Sequence, residues 1–313
     1  MSVRRAVRAA LRRGACALVA ALALGGVAGG CAGEKEQHEP VLRGALPEYS
    51  AVALKYNERA GLLKTLWGRT QVQIRYTDDD GDRRFEQGEG FLSIDQPERV
   101  ALSVGKLGET LFWLGCDGER YWSIDLTQKP ARAYVGRHDG AARQGASDGG
   151  GRGGLAATVS PRDLPRLLGI EALPTGGGVM QWSEDGRLLG VVTQVVGAGG
   201  GPGGRQRLWL DPDSMEPRSV ELYDARGAAT LVAQISEADF VAVPGLRGVG
   251  PKAASRTRIG HLASGSSLNV TLAGMEGGTR RIKAEAFDLT KLMAALGVER
   301  LVDVDAGNVE PKR

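Results

Sequence analysis

The chain has 313 residues, with 40 Lys and Arg against 37 Asp and Glu, and only three cysteines. Five of the arginines fall in the first thirteen residues, and without them 35 basic residues face 37 acidic ones. That balance of about −2 removes the case for a nucleic-acid-binding domain, and the cysteine count leaves no internal disulfide in an exported chain.

The first element is MSVRRAVRAALRR, with Arg4, Arg5, Arg8, Arg12 and Arg13 and no acid. GACALVAALALGGVAGG follows, uncharged and rich in Ala, Leu and Gly. A basic start, a short apolar run and small residues describe a secretory signal peptide over residues 1–30. The run falls short of the roughly 20 strongly apolar residues that span a bilayer stably. Ala28-Gly29-Gly30-Cys31 resembles a bacterial lipobox. That resemblance implies a diacylglyceryl group on Cys31 and cleavage before it, so the chain joins the membrane through an acylated (palmitate-type) cysteine. The alternative is an uncleaved anchor or a plain cut near Ala32. Residues 31–46 are polar and read as a flexible tether. Ala32 is not the Asp that retains some lipoproteins on the inner membrane, which favours the outer membrane. Cys16 lies in the removed segment, and Cys116 reads as a small buried apolar residue.

Residues 47–305 read as a single domain. PEYSAVALKYNERAGLLKTLWG predicts a helix capped by Ser50, with Val52, Tyr56, Ala60, Leu63 and Leu66 along one face. SPRDLPRLLG predicts a short helix opened by Ser160 and Pro161 and stopped by Gly169. FDLTKLMAALG predicts a third, from the Asp288 cap to Gly297, with Leu289, Leu292, Met293 and Leu296 on its face. The remainder is strand-like: TQVQIRY, RRFEQGEGFLSI, RVALSVG, ETLFWLGCDG, ERYWSIDL, ARAYVG, GRLLGVVTQVV, QRLWLDP, RSVELYDARG, ATLVAQISEAD, SSLNVTLAG, TRRIKAEAF and ERLVDVD. Gly-rich loops interrupt the series at 137–154 and 196–204, and residues 306–313 form a tail. The fold class is α+β, mainly β. One antiparallel sheet of about 11–12 strands curls, and a few helices cover its concave face around an apolar cavity.

No catalytic signature stands out. His38 lies in the tether and His138 in a Gly-rich loop, which leaves His261. G-x-S-x-G, H-E-x-x-H and the phosphate-binding loop are absent, and Pro202 interrupts VVGAGGGPGG. Asp78, Asp79, Asp80 and Asp82 lack the twelve-residue calcium loop and read as a hairpin turn around Gly81. DPDSMEP, 211–217, is likewise a turn. The expectation is a protein that is not an enzyme, without cofactor or metal. Phe112, Trp113, Tyr121, Trp122, Tyr134 and Trp209 read either as core or as the wall of an acyl-chain pocket.

Four stretches in order resemble the LolA/LolB-like lipoprotein carrier superfamily over about residues 47–241. They are LLKTLWGRTQVQIRY, GEGFLSIDQPERVAL, CDGERYWSIDL and RLWLDPDSMEPRSVELYDARG, followed by a strand with an acidic end. The resemblance implies an incomplete, strongly curved barrel with a helical lid and an interior that holds acyl chains. Soluble carriers of this kind place Arg before the Pro of the second stretch and an aromatic shortly after. Here Gln96 and Leu102 stand there, so the arginine-controlled lid does not carry over. Residues 242–305 extend past the match. The cavity candidates that alternate inward are Val72, Ile74, Leu92, Val100, Leu102, Leu111, Trp113, Leu222 and Leu231. The expected function is binding of lipid or lipoprotein acyl chains by a monomer anchored in the cell envelope and facing the periplasm. Transport or outer-membrane insertion would follow. The alternative is an envelope sensor or scaffold that meets a protein partner.

Overall fold

The computed structural model describes residues 41, 43–77, 80–138, 159–196, 202–278 and 281–306. The signal segment, Cys31, Asp78, Asp79 and most of the first Gly-rich loop lie outside them. Helix α1 (Tyr49–Leu62) buries Val52, Ala53, Tyr56 and Ala60, which recur at the spacing of one helix face. Its N-cap is Glu48 rather than Ser50, because the Glu48 carbonyl already accepts from the N–H groups of Ala51 and Val52 at 3.1 and 3.3 Å. Leu63 and Leu66 carry the buried run into strand β1 (Thr65–Thr77).

Five strands follow by short turns: β2 (Arg83–Asp95), β3 (Arg99–Lys106), β4 (Glu109–Cys116), β5 (Arg120–Asp125) and β6 (Arg132–Arg137). A 3₁₀ turn (Pro161–Asp163) leads into α2 (Leu164–Leu167), stopped by Gly169 at φ +63°. The second run is β7 (Val179–Trp182), β8 (Leu189–Val196), β9 (Pro202–Leu210), β10 (Pro217–Tyr223), β11 (Ala229–Phe240), β12 (Lys252–His261) and β13 (Ser267–Glu276). A second 3₁₀ turn (Ala284–Phe287), α3 (Leu289–Leu296) and β14 (Arg300–Asp303) complete the described chain. Asp288 caps α3 by accepting from the Lys291 N–H at 3.1 Å, and Gly297 ends it at φ +65°.

These strands form one curved, unclosed sheet of fourteen strands, ordered β14-β6-β5-β4-β3-β2-β1-β13-β12-β11-β10-β9-β8-β7. Two antiparallel meanders meet at the β1–β13 seam, where Val72 faces Val270 and Ile74 faces Leu268. β14 pairs in parallel with β6, through Leu301 and Ala133. The Gly-x-Gly of β2 has a steric cause: a Cβ on Gly88 would meet Val104 Cγ1 at 2.6 Å, and one on Gly90 would meet the Ser103 carbonyl at 1.9 Å.

Three expectations change. β7 and β12 join the sheet, so the strands exceed the expected dozen. TRRIKAEAF is not a strand: its described part forms the 3₁₀ turn that leads to α3. The helices do not share one face. α1 and α2 pack on a face that carries Leu66, Ile74, Leu92, Ile94, Val100, Leu102 and Cys116. α3 packs on the opposite face, where Leu289, Leu292 and Val298 cover Trp122, Ile124, Ala133 and Val135. The cause is alternation within β5, where Trp122 and Ile124 point away from Tyr121. Val41 and Arg43, within the expected tether, meet the β7–β8 turn: the Val41 N–H donates to Asp185 O and Arg43 Nε to Gly186 O, both at 2.8 Å.

Candidate functional site

α3 covers only the β5–β6 part of its face. Toward β1 the sheet carries Trp67, Phe91 and Trp113 beside small residues on neighbouring strands: Ser93, Ala101, Ser103 and Gly105. Large side chains next to small ones leave a trough. The chain after β13 crosses it, bringing Arg281, Lys283 and Ala286 over the sheet. The result is a groove of about 790 Å³, in the size class of small-molecule sites.

Its floor is aromatic. Trp67 and Phe91 stack with centroids 5.5 Å apart, and Phe91 remains 48% exposed. The Arg281 guanidinium lies 4.7 Å from the Trp67 ring centre and pairs with Glu276 at 2.9 Å. Arg69 stands on β1 opposite Phe91, and Glu89 stands opposite Gly105 further along the strands. Lys106 and Glu109 face each other at the β3–β4 turn. The groove therefore has an apolar middle, a basic end and a mixed end. Such a site can hold an amphipathic molecule.

The expected cavity residues divide between the faces. Val72, Ile74, Leu92, Val100, Leu102, Leu222 and Leu231 are all buried in the core packed against α1 and α2. Trp113 lies on the opposite face, because β4 pairs it with Ser103 and Ile124, and Leu111 falls at the register shift between β3 and β4. Trp113 alone of the nine lines the groove. Trp67, Arg69, Phe91 and Arg281 escape a reading of the sequence; the signal for them is the run of small residues, SID and VALSVG, on the strands beside them. Of the remaining aromatics, Phe112 and Tyr121 pack on the first core, Trp122 fills the second, and Trp209 Nε1 donates to Glu221 Oε1 at 2.9 Å.

The helix-covered face is tied by polar links. Tyr56 Oη donates to Gly169 O at 2.7 Å, and Asn57 exchanges two bonds with the backbone of Leu173. Arg166 holds Glu171 at 3.0 Å and Asp163 at 3.5 Å; burial raises both carboxyl pKa values and the guanidinium opposes the rise. Burial pushes the Cys116 thiol up to about 12, which makes it inert at neutral pH. His261 Nδ1 lies 2.9 Å from Ser264 Oγ and accepts from the Ser264 N–H, both within one hairpin turn. That is a turn cap. Among the described residues no three His, Cys, Asp or Glu side chains are grouped to hold a metal ion. Asp211 caps its turn by accepting from Ser214 N at 3.0 Å, and these backbone bonds lower its pKa.

No protein-family model matches the sequence, and no curated protein does. Solved structures similar in fold include a domain assigned to outer membrane lipoprotein sorting from Vibrio parahaemolyticus, at 10% identity, covering 77% of this chain and 97% of that one, TM-score 0.48. A LolA superfamily protein from Nitrosomonas europaea is 15% identical, with coverage of 77% and 97% and TM-score 0.46. A DUF1329 family protein from Desulfovibrio piger is 11% identical, with coverage of 78% and 97% and TM-score 0.42. The open curved sheet itself, with an N-terminal helix and a short second helix on one face, is the arrangement that the residue-level resemblance implies.

Proposed function

We propose that the protein is a lipoprotein of the bacterial cell envelope, anchored through Cys31 and facing the periplasm. It binds the acyl chains of a lipid or lipoprotein and supports their transport or outer-membrane insertion. The groove over Trp67, Phe91 and Trp113 carries this reading: it has an aromatic floor and is open to solvent at a partly exposed Phe91. The driving force is burial of chain methylenes, about 0.8 kcal/mol each. No chemical step is required.

Two experiments test it. A fluorescent fatty acid titrated into the purified protein should gain intensity saturably, and Ala273→Trp, an exposed position lining the groove, should weaken that uptake at least about fivefold. Cys31→Ser should abolish metabolic acyl labelling and release the protein from the membrane fraction. Unchanged uptake in the Trp variant, or unchanged membrane association in the Ser variant, contradicts the corresponding half.

A second reading is an anchored sensor or scaffold. The observation that favours it is the filled helix-covered face, where seven candidate cavity residues are core. It predicts no saturable lipid uptake.

A further inference from the structure

The two ends of the groove differ in charge. At the β1–β13 end stand Arg69 and Arg281, with Glu276 the carboxylate paired to Arg281, and Lys283 lines the groove from the chain that crosses it. Arg281 is committed twice, to Glu276 and to the Trp67 ring. The side chains of Arg69 and Lys283 have no hydrogen-bond or ion-pair partner among the described residues, and both residues are exposed. At the β3–β4 turn the groove holds Lys106 and Glu109, and Glu89 stands opposite Gln71, two residues along β1 from Arg69. Trp113, on the groove wall, buries an indole N–H with no partner among the described residues. Two uncommitted cations and an orphaned donor beside an aromatic floor are complementary to acceptor oxygens attached to an apolar chain.

We propose that the groove takes an anionic amphiphile, with its acyl part along Trp67, Phe91 and Trp113 and its phosphate or carboxylate between Arg69 and Lys283. This rests on the acyl-binding reading above. A cationic head group meets like charge at this end, and a neutral one leaves both cations unanswered. Glu109, at the β3–β4 turn, disfavours the reversed orientation.

The test uses the full-length chain in nonionic detergent and two fluorescent lipids with identical chains, a phosphatidylglycerol and a neutral diacylglycerol. The wild type should bind the anionic lipid about tenfold more tightly or better. Arg69→Gln with Lys283→Gln should bring the two affinities within about threefold of each other. Ala273→Trp should weaken both. Equal affinities in the wild type overturn the head-group assignment and leave acyl binding standing. Failure to bind either lipid overturns acyl binding itself. Displacement of the anionic lipid by millimolar inorganic phosphate marks a site for free anions and overturns the amphiphile. Full binding by the Trp variant places the lipid outside the groove.

Discussion

The side-chain amide of Gln96 donates to the carbonyl of Ile170 at 3.1 Å, and the same nitrogen donates to the carbonyl of Leu63 at 3.0 Å. One residue on the β2–β3 turn thus fastens the end of α1 and the end of α2 to the sheet. The arginine of the soluble carriers is absent from this position, yet the glutamine performs a tie between helices and sheet with a neutral donor.

Gln96→Ala should therefore lower stability by about 1–2 kcal/mol, the cost of leaving two partly buried carbonyls without a donor. Gln96→Glu should cost more, since a carboxylate cannot donate to either oxygen. Urea denaturation of the three proteins checks both; unchanged midpoints would show that water replaces the amide.

Two glycines should respond in opposite directions. Gly90→Ala places a methyl carbon 1.9 Å from the Ser103 carbonyl, and neither strand can move without breaking its ladder. A loss of about 2–4 kcal/mol or failure to fold is expected. Gly61 lies in α1, and a Cβ there would have no other atom within 4 Å, so Gly61→Ala should stabilise by up to about 1 kcal/mol. Thermal unfolding reads both signs.

Acid should weaken the fold through His138. Its ring nitrogen Nε2 donates to Asp117 O at 2.8 Å, the residue is 9% exposed, and burial lowers its pKa below 6.5. Arg162 opposes its protonation, while Asp117 and Asp163 favour it. Because the folded value is depressed, the unfolded chain takes up the proton first. Stability is present above the unfolded value and is lost as pH falls through it, by at most about 1.4 kcal/mol per pH unit. His138→Gln keeps a donor for Asp117 O and should flatten the dependence between pH 7 and pH 5. Contributions from Glu171 and His261 cancel in the difference between the two proteins, and the change in Asp163, which His138 faces, is read together with that of His138. An unchanged slope would contradict this assignment.

The legible parts of the fold are those with strong local signals. Asp288 and Gly297 announce both ends of α3, and the alternation of β1 correctly places Val72 and Ile74 on one face. β12 escapes because its buried residues apart from Ile259 are small, Ala253, Ala254 and Thr257, and arginines stand between them. β4 reads in the wrong phase for a physical reason: Phe112 and Leu114 meet the first core while Trp113 between them meets the second, so successive residues are all apolar and alternation cannot choose between them. The groove depends on residues far apart in sequence, Trp67, Phe91 and Arg281, and on the path of the chain after β13. No local pattern encodes that path.

The most direct measurement of the central claim is mass spectrometry of what the protein carries. The full-length chain and its Ala273→Trp variant would be purified gently from a bacterial host, extracted with organic solvent and compared with a mock purification. Acyl binding in the groove predicts a near-stoichiometric lipid with the wild type and much less with the variant. No lipid above the mock level, or equal lipid on both proteins, would contradict it.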